Sequence, residues 1–191
     1  MSQNRTALRR QFRNLRNSIS QEERKSNSST IISKLLRSSR IISSTRIGLY
    51  WPSDGEVDLI PIIKILNNYG IKTALPVVID KHKMIFVYYA YGQDLVSNQF
   101  GISEPKDKGN LCEFNTKDTL LIPLVAFDGH NGRLGMGGGF YDRYLSNIGI
   151  PDKPLLVGIA HQIQFSPSAL PLRKWDQKMD TIVTEKTTTP K

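Results

Sequence analysis

The sequence predicts an α/β domain built on a largely parallel sheet. Three observations carry that reading. Short apolar runs alternate along the chain with segments of helical periodicity, the order that joins strands through helices. The run Thr119–Pro123 is compact and apolar, as expected of a strand covered on both faces. The 191 residues, 39% of them apolar, suffice for one domain around one core. No internal repeat or linker divides the chain.

The elements follow in order. Leu8, Phe12, Leu15 and Ile19 recur at helical spacing and turn one stripe toward a core. Arg9, Arg13 and Arg16 repeat that spacing on a neighbouring stripe, where Arg13 and Arg16 read as solvated surface. Ser20 with Glu23 has the form of a capping box. A second helix starts there and carries Ile31, Ile32, Leu35 and Leu36 inward, with the Ser-rich residues 38–44 as its exit. Residues 46–51 form a strand ended by Pro52, and residues 59–66 a helix closed by Asn68 and Gly70. Strands are expected at Lys72–Val78 and at 84–91, with Lys81, His82 and Lys83 as the turn between them. Residues 93–114 are polar and loop-rich, either a lid or a long connection. A helix over 140–148 and strands over 155–160 and 181–184 complete the domain, and the tail 186–191 reads as flexible.

Composition narrows the function. The formal charge of +9 favours anionic partners without choosing among them. The basic and acidic residues are scattered, and no nucleic-acid-binding signature appears, so specific nucleic-acid binding is not expected. No run is long and apolar enough for a membrane span, and the basic N-terminus lacks the apolar stretch of a signal peptide. Cys112 is the only cysteine, which excludes an internal disulfide and a Cys-rich zinc site. A cytoplasmic monomer fits these facts.

The chemistry concentrates in Asn131-Gly132-Arg133-Leu134-Gly135-Met136-Gly137-Gly138-Gly139-Phe140-Tyr141-Asp142. Five glycines lie within eight residues, between a buried strand and a helix. Without side chains, successive amides can face one concavity, a natural cradle for phosphate. Arg133 sets a permanent cation beside it. The dinucleotide spacing fails because position 140 is Phe140, and no lysine followed by Ser or Thr completes a P-loop. A ligand-free strand-to-helix turn is the plainer alternative. Asp142, near the helix start, reads equally as a favourable partner of the helix dipole or as a Mg²⁺ ligand. His82, His130 and His161 read as loop histidines with no assigned proton work.

This stretch resembles the signature of the 5-formyltetrahydrofolate cyclo-ligase family, whose core is Arg-Leu-Gly-x-Gly-x-Gly-aromatic-Tyr-Asp. Arg133, Leu134, Gly135, Gly137, Gly139, Phe140, Tyr141 and Asp142 match it. Pro123 with Phe127-Asp128, Leu8-Arg9, Ser20-x-Glu22-Glu23-Arg24, Trp51 with Glu56, Leu170-Pro171, Trp175-Asp176, Asp180 and Thr184-Glu185 fit in the same order. The resemblance implies a single-domain, Rossmann-like three-layer sandwich of the NagB/RpiA/CoA-transferase-like kind. It implies ATP-dependent closure of 5-formyltetrahydrofolate to 5,10-methenyltetrahydrofolate, with Mg²⁺ as cofactor. Arg5, Thr6, Ala7, Leu8 and Arg9 would bind ATP, together with Arg133, Leu134, Gly135, Met136, Gly137, Gly138, Gly139, Phe140 and Tyr141. Trp51 and Glu56 would line the folate pocket with Met136, Gly137, Gly138, Gly139 and Phe140. Asp142 and Asp176 would hold the metal, and Arg133, Gly137, Tyr141 and Asp142 would act in catalysis. Phe100 falls where the family has an aromatic near the nucleotide. Phe140 replaces a common tyrosine, and Arg5 a common lysine.

Two rivals remain open on the residues alone: a kinase or ligase acting on another acceptor, and a folate-binding relative without activity. Trp51 and Glu56 speak for folate against the first.

Overall fold

The computed structural model describes residues 4–149 and 152–189. Helix α1 spans Arg5–Asn17 and is capped by Asn4, whose Oδ1 accepts from the Thr6 amide at 2.9 Å. Its buried residues are Leu8, Phe12 and Arg16, one every fourth position. The expectation that Arg16 is surface is therefore wrong: it lies on the buried stripe with the apolar residues. Helix α2, Gln21–Arg37, starts where Ser20 Oγ accepts from the Glu23 amide at 3.1 Å. Its Ile31, Ile32 and Leu35 are buried as the spacing predicts. The Ser-rich exit holds one further turn of helix, α3 at Ser39–Ile42, which buries Ile41.

Strand β1, Arg46–Gly48, is shorter than the predicted 46–51. One more ladder bond follows, from the Leu49 amide to the Ala74 carbonyl at 2.9 Å, before the chain leaves toward Trp51. Helix α4 covers Ile60–Asn68, and β2, Lys72–Val78, and β3, Met84–Tyr88, pair antiparallel. The polar stretch 93–114 contains a hairpin of β4, Leu95–Ser97, and β5, Ser103–Pro105. Then come β6, Thr119–Pro123, β7, Ala126–Asp128, and β8, Arg133–Leu134. Helix α5 is Phe140–Ser146, and β9 is Leu155–Ile159. Strand β10, Phe165–Ser166, β11, Thr181–Val183, and β12, Thr188–Thr189, end the described chain.

Among the described residues the main sheet runs β12-β11-β9-β6-β1-β2-β3. The ladders from β11 across to β2 are parallel, and the two edges are antiparallel. Alternate residues face opposite layers. Ile47, Leu121, Val157, Ile159 and Val183 meet α2 and α4 on one side. Leu120, Ile122, Leu156 and Ile182 meet α5 on the other. Both faces are covered, so the predicted α/β domain with helices on both sides of a mostly parallel sheet is the observed architecture.

Gly48 sits in the tightest part of that core. A Cβ there would fall 2.2 Å from Leu120 Cδ2 and 2.7 Å from the Phe114 ring. Gly48→Ala is expected to destabilise the protein by about 1–3 kcal/mol through overpacking, measured as a lower denaturation midpoint.

Three features were not legible. The small sheet β10-β7-β8 intervenes between β6 and the Gly-rich loop, so that loop does not follow the buried strand directly. The hairpin β4–β5 is pinned by buried Glu104, which accepts from the Val78 amide at 3.2 Å. The tail does not simply fray: β12 adds an antiparallel edge strand, and Thr189 Oγ1 donates to Asn131 Oδ1 at 2.8 Å. Residues 190 and 191 of the predicted flexible tail lie outside the described residues.

Candidate active site

The strand order reverses between β1 and β6. Beyond β1 the chain goes on to β2 on one side, while β6 and β9 lie on the other. Loops leaving the carboxyl ends of such a pair open a crevice, the usual ligand position in an open α/β sheet. Trp51 and Glu56 follow β1, the Gly-rich loop follows β6 through the small sheet, and Asp176 lies between β9 and β11. Topology thus brings the two halves of the predicted site to one end of the sheet.

The phosphate half begins with Asp128. Its carboxylate accepts from the amides of His130 and Gly132, both at 2.9 Å, and of Leu170 at 2.8 Å. That pins the turn before β8 and explains why Phe127-Asp128 accompanies the loop in sequence. Gly137 has φ 105° and Gly139 φ 69°, conformations that a side chain would strain. Arg9 lies alongside, its Nε donating to the Gly135 carbonyl at 2.8 Å. Helix α1 is thereby stitched to the loop. Thr6 and Ala7 are exposed in the first turn of α1, whereas Leu8 and Leu134 are buried together in the cluster beneath. The side chains of Leu8 and Leu134 therefore support the cradle from below. Met136 is about half exposed at the loop's surface. Phe140 meets the Phe100 ring edge-on at 6.0 Å, so the β4–β5 hairpin tip borders the loop.

Arg133 is buried, 4% exposed. Its Nη2 donates to Asp142 Oδ1 at 2.7 Å, and its Nε has no protein partner. Burial lowers its pKa, and the Asp142 charge opposes that. Asp176 receives Arg5 Nη1 at 2.5 Å and the Arg173 amide at 2.7 Å. Burial raises the Asp176 pKa, but these donors outweigh it and the net shift is downward. The Gln177 amide donates to Asp142 Oδ1 at 3.1 Å, which draws the two acidic segments together. Among the described residues, no three His, Cys, Asp or Glu side chains form a metal cluster. Mg²⁺ takes one or two carboxylates and completes its octahedron with water and phosphate oxygens. Asp142 offers Oδ2, since its donors share Oδ1, whereas Asp176 would have to exchange the Arg5 fork for the ion.

The second half of the crevice is built on β1. Trp51 packs edge-to-face on Tyr89 at 6.1 Å. Residues 53–56 form a turn in which the Ser53 amide donates to Glu56 Oε2 at 3.1 Å. Burial pushes the Glu56 carboxyl up to about 7, against the pull of Arg16. Tyr141 is partly buried between the halves, with its hydroxyl out of solvent. Burial first, then the charge on Glu56, raises its pKa, while Arg133 lowers it. Its hydroxyl has no protein partner. An unpaired buried hydroxyl costs roughly 1–3 kcal/mol, the kind of debt a ligand settles.

The description "5-formyltetrahydrofolate cyclo-ligase family" matches residues 1–185. The chain belongs to that family. It is 33% identical to the 5-formyltetrahydrofolate cyclo-ligase of Escherichia coli K12, over 91% of this chain and 96% of that one. It is 35% identical to the Haemophilus influenzae cyclo-ligase, over 92% and 94%. The NMR structure of Aquifex aeolicus 5,10-methenyltetrahydrofolate synthetase superposes with a TM-score of 0.82 at 33% identity, covering 96% of this chain and 91% of that chain.

Within the cyclo-ligase framework, sequence reading missed part of the charged machinery. Arg16, Asp54 and Tyr50 form the surroundings of Glu56, yet Arg16 reads from sequence as surface and the other two carry no signal. A signal for Arg16 existed: with Leu8 and Phe12 it completes the every-fourth-residue stripe that α1 buries. His161 is wholly buried, and Asn27 Nδ2 lies 3.3 Å from its Nδ1. Burial lowers it to about 4, so it stays neutral near pH 7. His82 and His130 are exposed.

Proposed function

We propose that this protein closes 5-formyltetrahydrofolate to 5,10-methenyltetrahydrofolate with ATP, releasing ADP and phosphate. The observation that carries the reading is one crevice holding both halves: the glycine loop with Arg9 and Arg133, and Glu56 with Trp51, joined through Tyr141.

The formyl group on N5 is a poor electrophile with a poor leaving group. Transfer of the γ-phosphoryl from ATP to the formyl oxygen makes one P–O bond and breaks another. N10 then attacks the formyl carbon. The C–O bond breaks, phosphate leaves with the electron pair, N10 loses its proton, and the ring is closed. The chain's part is positioning and charge stabilisation. Main-chain amides of residues 135–139 and the Arg9 and Arg133 guanidinia meet the phosphate charge, with Arg5 behind them through Asp176. Glu56 accepts from the N–H edge of the pterin, and Trp51 packs on its face. Phe140 and Met136 cover the loop side. No side-chain nucleophile is needed. Asp142 and Asp176 would hold Mg²⁺, which neutralises phosphate charge when bound.

The gathering of Arg5, Arg9 and Arg133 at one site supports reading part of the +9 charge as a match for a triphosphate. Burial raises the Cys112 thiol to about 11, an unreactive state. Among the described residues no helix is long and apolar enough to cross a membrane. A cytoplasmic monomer is the setting we propose.

The test is an absorbance assay for the methenyl product. Purified protein is expected to form it from 5-formyltetrahydrofolate only when ATP and Mg²⁺ are both present. Full turnover without nucleotide would contradict the reaction.

A further inference from the structure

Arg16 is an arginine on the inner stripe of α1, wholly buried. Its Nη2 donates to Asp54 Oδ2 at 2.6 Å, and its Nη1 donates to the Leu124 carbonyl at 3.2 Å. The same Nη1 stands 3.8 Å from Glu56 Oε1. That distance makes an ion pair but no hydrogen bond. Glu56 therefore feels the charge while Oε1 stays open to another donor. Its other oxygen is taken by the Ser53 amide.

The turn carrying Glu56 is held from outside as well as by its own Ser53 bonds. Asp54 has φ 48° and Gly55 φ 79°, two left-handed residues in succession. Helix α1 supplies the clamp. Asp54 also accepts from Arg13 Nε at 2.7 Å and Asn17 Nδ2 at 3.1 Å. A Cβ on Gly55 would fall 2.4 Å from Asn17 Oδ1, so the turn lies flat against the helix. A lysine could not reproduce the guanidinium fork, which reaches a carboxylate, a carbonyl and a second carboxylate at once.

We propose that Arg16 is a positioning residue for the folate half of the site. It touches no substrate atom. It locks turn 53–56 to α1 and supplies a countercharge that favours the anionic, accepting form of Glu56. The proposal rests on the reading that Glu56 meets the pterin, and it adds the residue that makes Glu56 fit for that contact.

The groups around Glu56 agree. Asp54 faces it from its own turn, Tyr50 from the end of β1 and Tyr141 from α5. All three are acidic or neutral. The cation acting most directly on Glu56 is Arg16, and Arg24 lies against Gly55 in the same turn. Without Arg16, only the Ser53 hydrogen bonds oppose burial and the Asp54 charge, and the balance moves toward the protonated carboxyl.

The experiment is steady-state kinetics on wild type, Arg16→Lys, Arg16→Met, Glu56→Gln and the Arg16→Met/Glu56→Gln double variant. Folate and ATP are varied separately from pH 6 to 9, with thermal melts on each protein. Arg16→Met is expected to raise the folate KM about tenfold or more at pH 7 and to leave the ATP KM within about twofold, since the loss falls on ground-state binding at one half of the site. The folate defect should shrink as pH rises, because the carboxylate then ionises without help. Arg16→Lys, which keeps the charge, should fall between wild type and Met, and carries the test alone if Arg16→Met does not fold. In the Glu56→Gln background, Arg16→Met should add under about threefold, the non-additivity of residues acting through one group.

An Arg16→Met protein with a wild-type folate KM, when Glu56→Gln raises it, overturns the inference and leaves the folate reading standing. Equal losses for both substrates at all pH values, adding fully to Glu56→Gln, also overturn it by reducing Arg16 to scaffold. A wild-type folate KM in Glu56→Gln itself removes the reading on which the inference rests.

Discussion

Asp142→Asn is expected to lower kcat by about 10²–10³-fold while the protein stays folded. Asn keeps the shape of Asp142 and an oxygen able to accept from Arg133 Nη2 and the Gln177 amide, the two bonds seen at 2.7 and 3.1 Å. It removes the negative charge that would bind Mg²⁺ and balance Arg133. The change leaves Arg133, 4% exposed, with only the weaker Asp176 charge to balance it, so a lower denaturation midpoint is expected beside the loss of kcat. Arg133→Ala is the harsher variant. It strips a buried cation from its partner and leaves a void, so about 3–5 kcal/mol of stability should go with the turnover. Measuring kcat beside the denaturation midpoint separates the two. Wild-type turnover in Asp142→Asn would remove Asp142 from the chemistry.

Glu56→Gln should raise the folate KM about tenfold or more while the protein melts at least as high as wild type at pH 8. The sign follows from the carboxyl's displacement to about 7 by burial. A carboxyl whose pKa is raised on folding contributes stability below its unfolded value, near 4.5, and that contribution is lost as pH climbs through about 7. At pH 8 the wild type thus carries a cost of about 3 kcal/mol for ionising Glu56, which the amide escapes. Binding runs the other way, since only the carboxylate accepts fully from the pterin edge. The wild-type folate KM should therefore rise as pH falls below 7, and Glu56→Gln should flatten that dependence. A marked loss of stability in Glu56→Gln at pH 8 would contradict the assignment of strain to this carboxylate.

The parts of this protein legible from sequence are those written in local spacing. The run Thr119–Pro123 is a strand at the predicted bounds because a strand buried on both faces leaves an unbroken apolar signature. Helix α2 begins at its Ser20 cap for an equally local reason. The glycine loop announced itself because the positive φ angles of Gly137 and Gly139 suit glycine. The short strands β7, β8, β10 and β12 have two or three residues each, too few for alternation to register. Arg16 was misread for another reason. A charged residue on a helix is solvated by default, and the packing of turn 53–56 against α1 is what supplies the carboxylate partners that let Arg16 be buried. Asp142 and Asp176 are paired in the sequence reading through the family resemblance alone, since they are far apart in sequence and their segments are linked through Gln177 and the arginines between them.

The most direct test is a crystal structure with a non-hydrolysable ATP analogue and 5-formyltetrahydrofolate bound together. The β- and γ-phosphates should lie within hydrogen-bond distance of the 135–139 amides, with Arg9 alongside and the pterin edge on Glu56. A triphosphate seated away from this loop, with the loop closed on itself, would contradict the account.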